Sequence, residues 1–238
     1  MVRYNDNSKY MEDNEMIGVL TYDVPHRKTY DTLCLLKARN VSGGEVVVFA
    51  TPFHYEKKFK PLINHRPHCN NDITPKELCK SFNFEYYVNF SYDVLPGNSI
   101  ILVCGSGIIE ESVIKKYRII NSHPGYLPNV RGLDALKWAI YDGQPIGVTT
   151  HQIGEHIDAG LIIERKLVPL HFNDTFHSVA QRQYEMEVSM LVDAIDKIEA
   201  ATEFIEPQNF PLRKRMSHET ETRVIGRFNT IIDNVVIE

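Results

Sequence analysis

The sequence predicts an α/β fold, a mostly parallel sheet with helices on both faces, closed by a short C-terminal extension. Three observations predict it. Short apolar runs alternate with amphipathic stretches along most of the chain, the order that parallel strands with crossover helices require. The run at 99–104 (SIILVC) is apolar throughout, as a strand covered on both faces must be. Residues 173–201 place Val179, Tyr184, Met186, Met190, Leu191, Ile195 and Ile198 at helical spacing, a long apolar stripe that needs a sheet to cover. The three together define a Rossmann-like domain at 1–205 and an extension at 206–238.

Each element follows from local chemistry. Residues 1–15 are a polar leader. The first strand is 16–20 (MIGVL), followed by the polar loop Tyr22-Asp23-Val24-Pro25-His26-Arg27-Lys28 and a helix through 30–39. Ser42-Gly43-Gly44 breaks that helix, and the β-branched run 45–50 (EVVVFA) is the second strand. Residues 51–71, rich in Pro, His and Lys, read as a loop. Thr74, Pro75 and Glu77 have the pattern of a capped helix start. After the strand at 99–104 come Gly105-Ser106-Gly107, a helix at 109–116 and a strand at 118–121. A helix at 133–142 ends at Gly143. Strands at 146–153 and 161–168 flank the polar turn 154–160, and the long helix follows. Beyond it, residues 207–238 carry Pro207, Pro211, the basic Arg213-Lys214-Arg215 and a short tail.

Composition narrows the function. The 238 residues carry 26 basic and 31 acidic side chains, a net charge of −5, which ill suits general nucleic-acid binding. No apolar run approaches the ~18 residues that span a bilayer, and the polar, acidic start is unlike a secretory signal. The expectation is a cytoplasmic protein with neither membrane nor nucleic-acid partners. Cys34, Cys69, Cys79 and Cys104 form no C-x-x-C pair. His54, His65, His68, Cys69 and Cys79 lack the close ligand pairs of a zinc site. No metal and no disulfide framework are expected.

The chemistry concentrates after the strand at 118–121. Pro124 pushes His123 into an extended conformation, and in an extended chain residues i and i+2 share a side. Asn121 and His123 therefore project together. An amide donor beside an imidazole can stabilise an oxyanion and move a proton. Asp158, in the later turn, is the candidate to orient the imidazole; Glu155 and His156 of the same turn are not excluded. His151 faces either this site or the core.

The order of these segments resembles the 10-formyltetrahydrofolate-dependent formyltransferases, and the nucleotide-sugar N-formyltransferases most of all. The matching pattern is Asn121, His123, Pro124, Leu127 and Pro128, then Arg131-Gly132, then Asp158 and Gly160. The resemblance implies a catalytic triad of Asn121, His123 and Asp158. It implies that N10-formyltetrahydrofolate, the formyl donor, lies against Gly105, Ser106, Gly107, Ile108 and Ile109, and against Ile153, Gly154, Glu155 and His156. Tyr22, His26, Arg27, Lys28 and Arg131 are the candidates to bind the acceptor. The short extension after the long helix and the acidic charge weigh against a tRNA acceptor. The expected acceptor is a nucleotide-linked amino-dideoxy sugar, as in lipopolysaccharide O-antigen synthesis, and the expected assembly is a homodimer. The alternatives are a phosphoribosylglycinamide-type transferase of purine synthesis, a non-catalytic folate- or nucleotide-binding module, and hydrolysis of the formyl donor by water.

Overall fold

A computed structural model of the chain describes residues 16–41, 45–53, 60–67, 72–88, 90–154, 160–205 and 210–235. The strands are β1 (Ile17–Tyr22), β2 (Val46–Thr51), β3 (Glu85–Val88), β4 (Ile100–Val103), β5 (Arg118–His123), β6 (Arg131–Gly132), β7 (Gly147–Ile153), β8 (Gly160–Leu167), β9 (Glu203–Ile205) and β10 (Leu212–Arg213). The helices are α1 (Arg27–Ala38), α2 (Pro75–Phe82), α3 (Glu111–Lys116), α4 (Ala135–Asp142), α5 (Phe176–Lys197) and α6 (His218–Asp233).

Eight strands form one sheet in the order β3-β2-β1-β4-β5-β7-β8-β9. The first five pair in parallel, whereas β7, β8 and β9 run antiparallel to their neighbours. The chain leaves β1 in one direction to build β2 and β3 and returns to β4 and β5 on the other side. That reversal of strand order opens a crevice at the strands' carboxyl ends, where α/β folds bind ligands. β7 and β8 are consecutive in the chain and pair antiparallel, Ile153 opposite Gly160.

Each face of the sheet has its own core. On one, Ile17, Val19, Val46, Val48, Ile100, Leu102 and Ile120 meet Leu33 and Leu36 of α1, Leu78 and Cys79 of α2, and Leu191 and Val192 of α5. On the other, Leu20, Val47, Phe49, Ile101, Val103 and Ile119 meet Leu95, Tyr117 and α3. Strand residues alternate between the faces because the side-chain period is two. The apolar run of β4 is thus explained, since it is buried on both sides.

Five elements lie outside the sequence reading: the short strands β3, β6, β9 and β10 and the helix α6. Strand β3 is short and largely exposed at the sheet edge, so it lacks the apolar signature of the inner strands. Helix α6 stands where only a tail was expected. Ser217 caps it through the Thr220 amide, and its Val224, Phe228 and Ile232 pack with α4 and the start of α5 in a third apolar cluster. Those three residues lie four apart, a helical signal that was present in the sequence. Cys79 is buried in α2, and burial pushes its thiol up to about 12. Cys34 is half-buried. His54, His68 and Cys69 lie outside the described residues.

Candidate active site

The site is built at the end of β5, where the strand outruns its parallel neighbour: pairing with β4 stops at Asn121. On its other side β5 pairs with β7, setting Asn121 opposite His151 and His123 opposite Thr149. Directly opposed residues share a face, so these four side chains stand together. Asn121 Nδ2 lies 3.4 Å from His151 Nε2. His123 is buried, and its Nε2 lies 3.0 Å from the Val130 carbonyl. A carbonyl only accepts, so Nε2 carries the proton and the ring is aimed by that bond. His151 is therefore both buried and beside the site.

The loop that follows is braced from two sides. Thr149 Oγ donates to the Gly125 carbonyl at 2.8 Å and accepts from the Leu127 amide at 3.0 Å. From α5, Gln183 donates to the carbonyls of Pro124 and Gly147, each at 3.0 Å. Gly125 itself leaves no room: a Cβ there would lie 2.6 Å from His123 Nε2. The turn after the histidine needs glycine because the imidazole occupies that space.

At the end of β1, Tyr22 packs edge-on to His26 and donates its hydroxyl to the Ser106 carbonyl at 2.8 Å. A Cβ on Gly105 would strike the Tyr22 ring at 2.6 Å. Gly107 differs, since a Cβ there would meet nothing within 4 Å. Next to it Ile108 is fully exposed, while Ile109 packs on the sheet. This segment presents open space and an uncovered apolar side chain beside the carboxyl end of β4.

The five residues nominated for the acceptor fall in three places. Tyr22 and His26 stand beside Gly105. Burial, reinforced by Lys28 and Arg66, brings the His26 pKa down to about 4, so its ring is neutral at neutral pH. Arg27 pairs with Asp31 at 2.6 Å and lies over the Tyr184 ring. Lys28 is buried and bonds Glu187 of α5 at 2.8 Å. The loop is therefore not an open grip of two cations. Arg131 is buried on β6, with its guanidinium 3.4 Å from the Phe210 carbonyl.

On the donor side, Ile153 shares the face of Asn121 and packs in the cluster beneath it. Gly154 follows it, and Glu155, His156 and Asp158 lie outside the described residues. A cavity of 470 Å³ is lined by Tyr126, Ile146, Leu167, Val168 and Ile231, and one of 150 Å³ by His65, Arg66 and His177. Neither includes Asn121 or His123. Sequence reasoning missed Thr149, Gln183 and Glu187. Glu187 did carry a signal, a charge set among the apolar positions Tyr184, Val188 and Leu191 of an amphipathic helix. Among the described residues no group of side chains is arranged to hold a metal ion, and no helix is long and apolar enough to cross a membrane.

The family model for formyl transferase matches residues 32–195. The chain therefore belongs to the formyl transferase family, and its fold is that family's α/β fold. The methionyl-tRNA formyltransferase of Agathobacter rectalis is 30% identical over 138 residues, which cover 57% of this chain and 43% of that protein. The chain thus spans less than half the length of that relative. Among solved structures, a sugar N-formyltransferase from Shewanella superposes with a TM-score of 0.56 at 19% identity, covering 84% of this chain and 77% of the other. WlaRD, a sugar 3N-formyl transferase solved with dTDP and 5-N-formyl-THF, gives 0.59 at 16% identity, covering 89% and 80%.

Proposed function

We propose that the protein transfers a formyl group from N10-formyltetrahydrofolate to the amine of a nucleotide-linked amino-dideoxy sugar. The observation that carries the reading is the pairing of Asn121 and His123 on one face at the free end of β5, beside the open Gly107–Ile108 segment. Exposed Ile108 and the unfilled space at Gly107 suit a flat, partly apolar ring, and Ile153 borders the same face. The neutral amine attacks the formyl carbon, and a new C–N bond forms. The carbonyl oxygen takes on negative charge, which the Asn121 amide stabilises, joined by the His123 imidazole once its Nδ1 has taken up the proton of the amine. The bond from that carbon to N10 of the donor then breaks. The proton lost by the amine passes to N10, with His123 as carrier and Asp158, in the turn after β7, orienting it.

The sugar acceptor is supported by the acidic charge of the chain and by the extent of its superposition on sugar N-formyltransferases, one of them solved with a nucleoside diphosphate. Tyr22 and His26, at the end of β1, are the residues this reading assigns to the acceptor. The reading carries a homodimer with it, which sedimentation of the purified protein tests. The deciding experiment mixes protein and N10-formyltetrahydrofolate with 3-amino and 4-amino dideoxy sugar nucleotides, phosphoribosylglycinamide, methionyl-tRNA, or no amine. Tetrahydrofolate release with a sugar nucleotide alone is the expected result. Turnover only with one of the other amines would replace the acceptor, release of formate without amine would mean hydrolysis, and no turnover would leave a binding module.

A further inference from the structure

Glu187 is 1% exposed in the middle of α5. A carboxylate so far from water is costly unless paired, and this one is paired twice. It accepts from Lys28 Nζ at 2.8 Å and from the Arg66 guanidinium. Burial alone would raise its pKa, but Arg66 and Lys28 outweigh burial and hold the carboxyl below its ordinary range. Lys28 then donates onward to the Ser122 carbonyl at 3.3 Å. Ser122 is the residue between Asn121 and His123, and β4 no longer pairs beyond Asn121. The ammonium thus meets the strand where a neighbouring strand is missing. A buried ion pair replaced by apolar side chains of similar size often leaves a fold as stable or more so. Packing α5 on the sheet gives no reason for a carboxylate here; what the carboxylate holds does.

We propose that Glu187 is a positioning residue for formyl transfer. Through Lys28 it fixes the peptide that joins Asn121 to His123, and through Arg66 it ties the 60–67 segment to the same point. It touches neither reactant. The inference rests on the formyl-transfer reading and extends it to a residue on the opposite face of the sheet.

The test compares Glu187→Gln with the paired change Glu187→Leu with Lys28→Met, which removes both charges and fills the space. Steady-state kinetics are read alongside amide hydrogen exchange at residues 121–123 in the ligand-free protein. We expect kcat to fall roughly tenfold or more, as for displacement of reacting groups by a fraction of an ångström. The KM for the formyl donor should stay within roughly twofold, and exchange at 121–123 should quicken while the paired variant stays folded. A folded paired variant with unchanged kcat and unchanged exchange overturns the proposal. If the unaltered protein transfers formyl to no amine, the function reading fails, and the exchange comparison alone still decides whether Glu187 holds the strand.

Discussion

At the residue scale, Asn121 has an amide that can meet a developing oxyanion, and it lies at the point where β5 loses its parallel neighbour. Asn121→Ala should lower kcat by about 10²–10³-fold with little change in donor affinity. Turnover compared with calorimetric binding of the donor checks this, and equal turnover in the two proteins refutes the role. His26 gives a prediction about pH. Its ring is held neutral down to about 4, against an ordinary 6.5. Between those values the unfolded chain binds a proton that the folded protein excludes. Stability therefore falls as pH drops from 6.5 toward 4. His65, brought down to about 3 by burial and then Arg66 and Lys137, pulls the same way. In His26→Gln the midpoint temperature should fall less steeply across that window, and parallel curves for the two proteins would show that His26 does not titrate this way. Asn121 and His123 were legible in sequence because alternation and one proline determine their common side. Glu187 stood out in sequence only as a charge among apolar positions; its partners were not legible, because Lys28 and Arg66 lie 159 and 121 positions away and only folding brings them together.

At the element scale, the 124–127 loop depends on its neighbours. Thr149 of β7 satisfies two of its backbone groups, the Gly125 carbonyl and the Leu127 amide. Thr149→Val keeps the shape and strands a buried carbonyl and a buried amide, each costing about 1–3 kcal/mol. The denaturant midpoint should drop accordingly, and kcat should fall with it as His123 loses its support. A variant as stable as the parent would mean that water replaces the hydroxyl. The elements themselves were largely readable. The capping box at Thr74 and Glu77 forms as the sequence indicated, since capping is a local matter. The direction of β7 and β8 was less so. Hydrophobic runs specify a strand but not its sense; six residues separate the end of β7 from the start of β8, and so short a connection requires antiparallel pairing.

At the scale of the whole molecule, α6 and the 60–67 segment join the two ends of the fold. Glu221 of α6 and Lys137 of α4 form an ion pair with neither side chain exposed. Glu221 also accepts the Leu62 amide at 2.8 Å, while Arg66 four residues on reaches Glu187. Removing one partner of such a pair leaves a buried charge, so Glu221→Gln should cost about 3–5 kcal/mol. Urea unfolding measures it, and a loss under about 1 kcal/mol would show that Lys137 finds Asp134, 4.0 Å away, an adequate partner.

By itself the sequence determined the period of each strand and helix, the alternation that makes an α/β sheet, and the common side of Asn121 and His123. These depend on residues within a few positions of one another, where backbone geometry leaves little choice. Only the tertiary structure decided the strand order 3-2-1-4-5 with its antiparallel edge, the burial of Lys28 against Glu187, and the docking of α6. Those outcomes depend on which distant surfaces meet, and a charge on a loop looks the same in sequence whether it ends in water or beneath a helix.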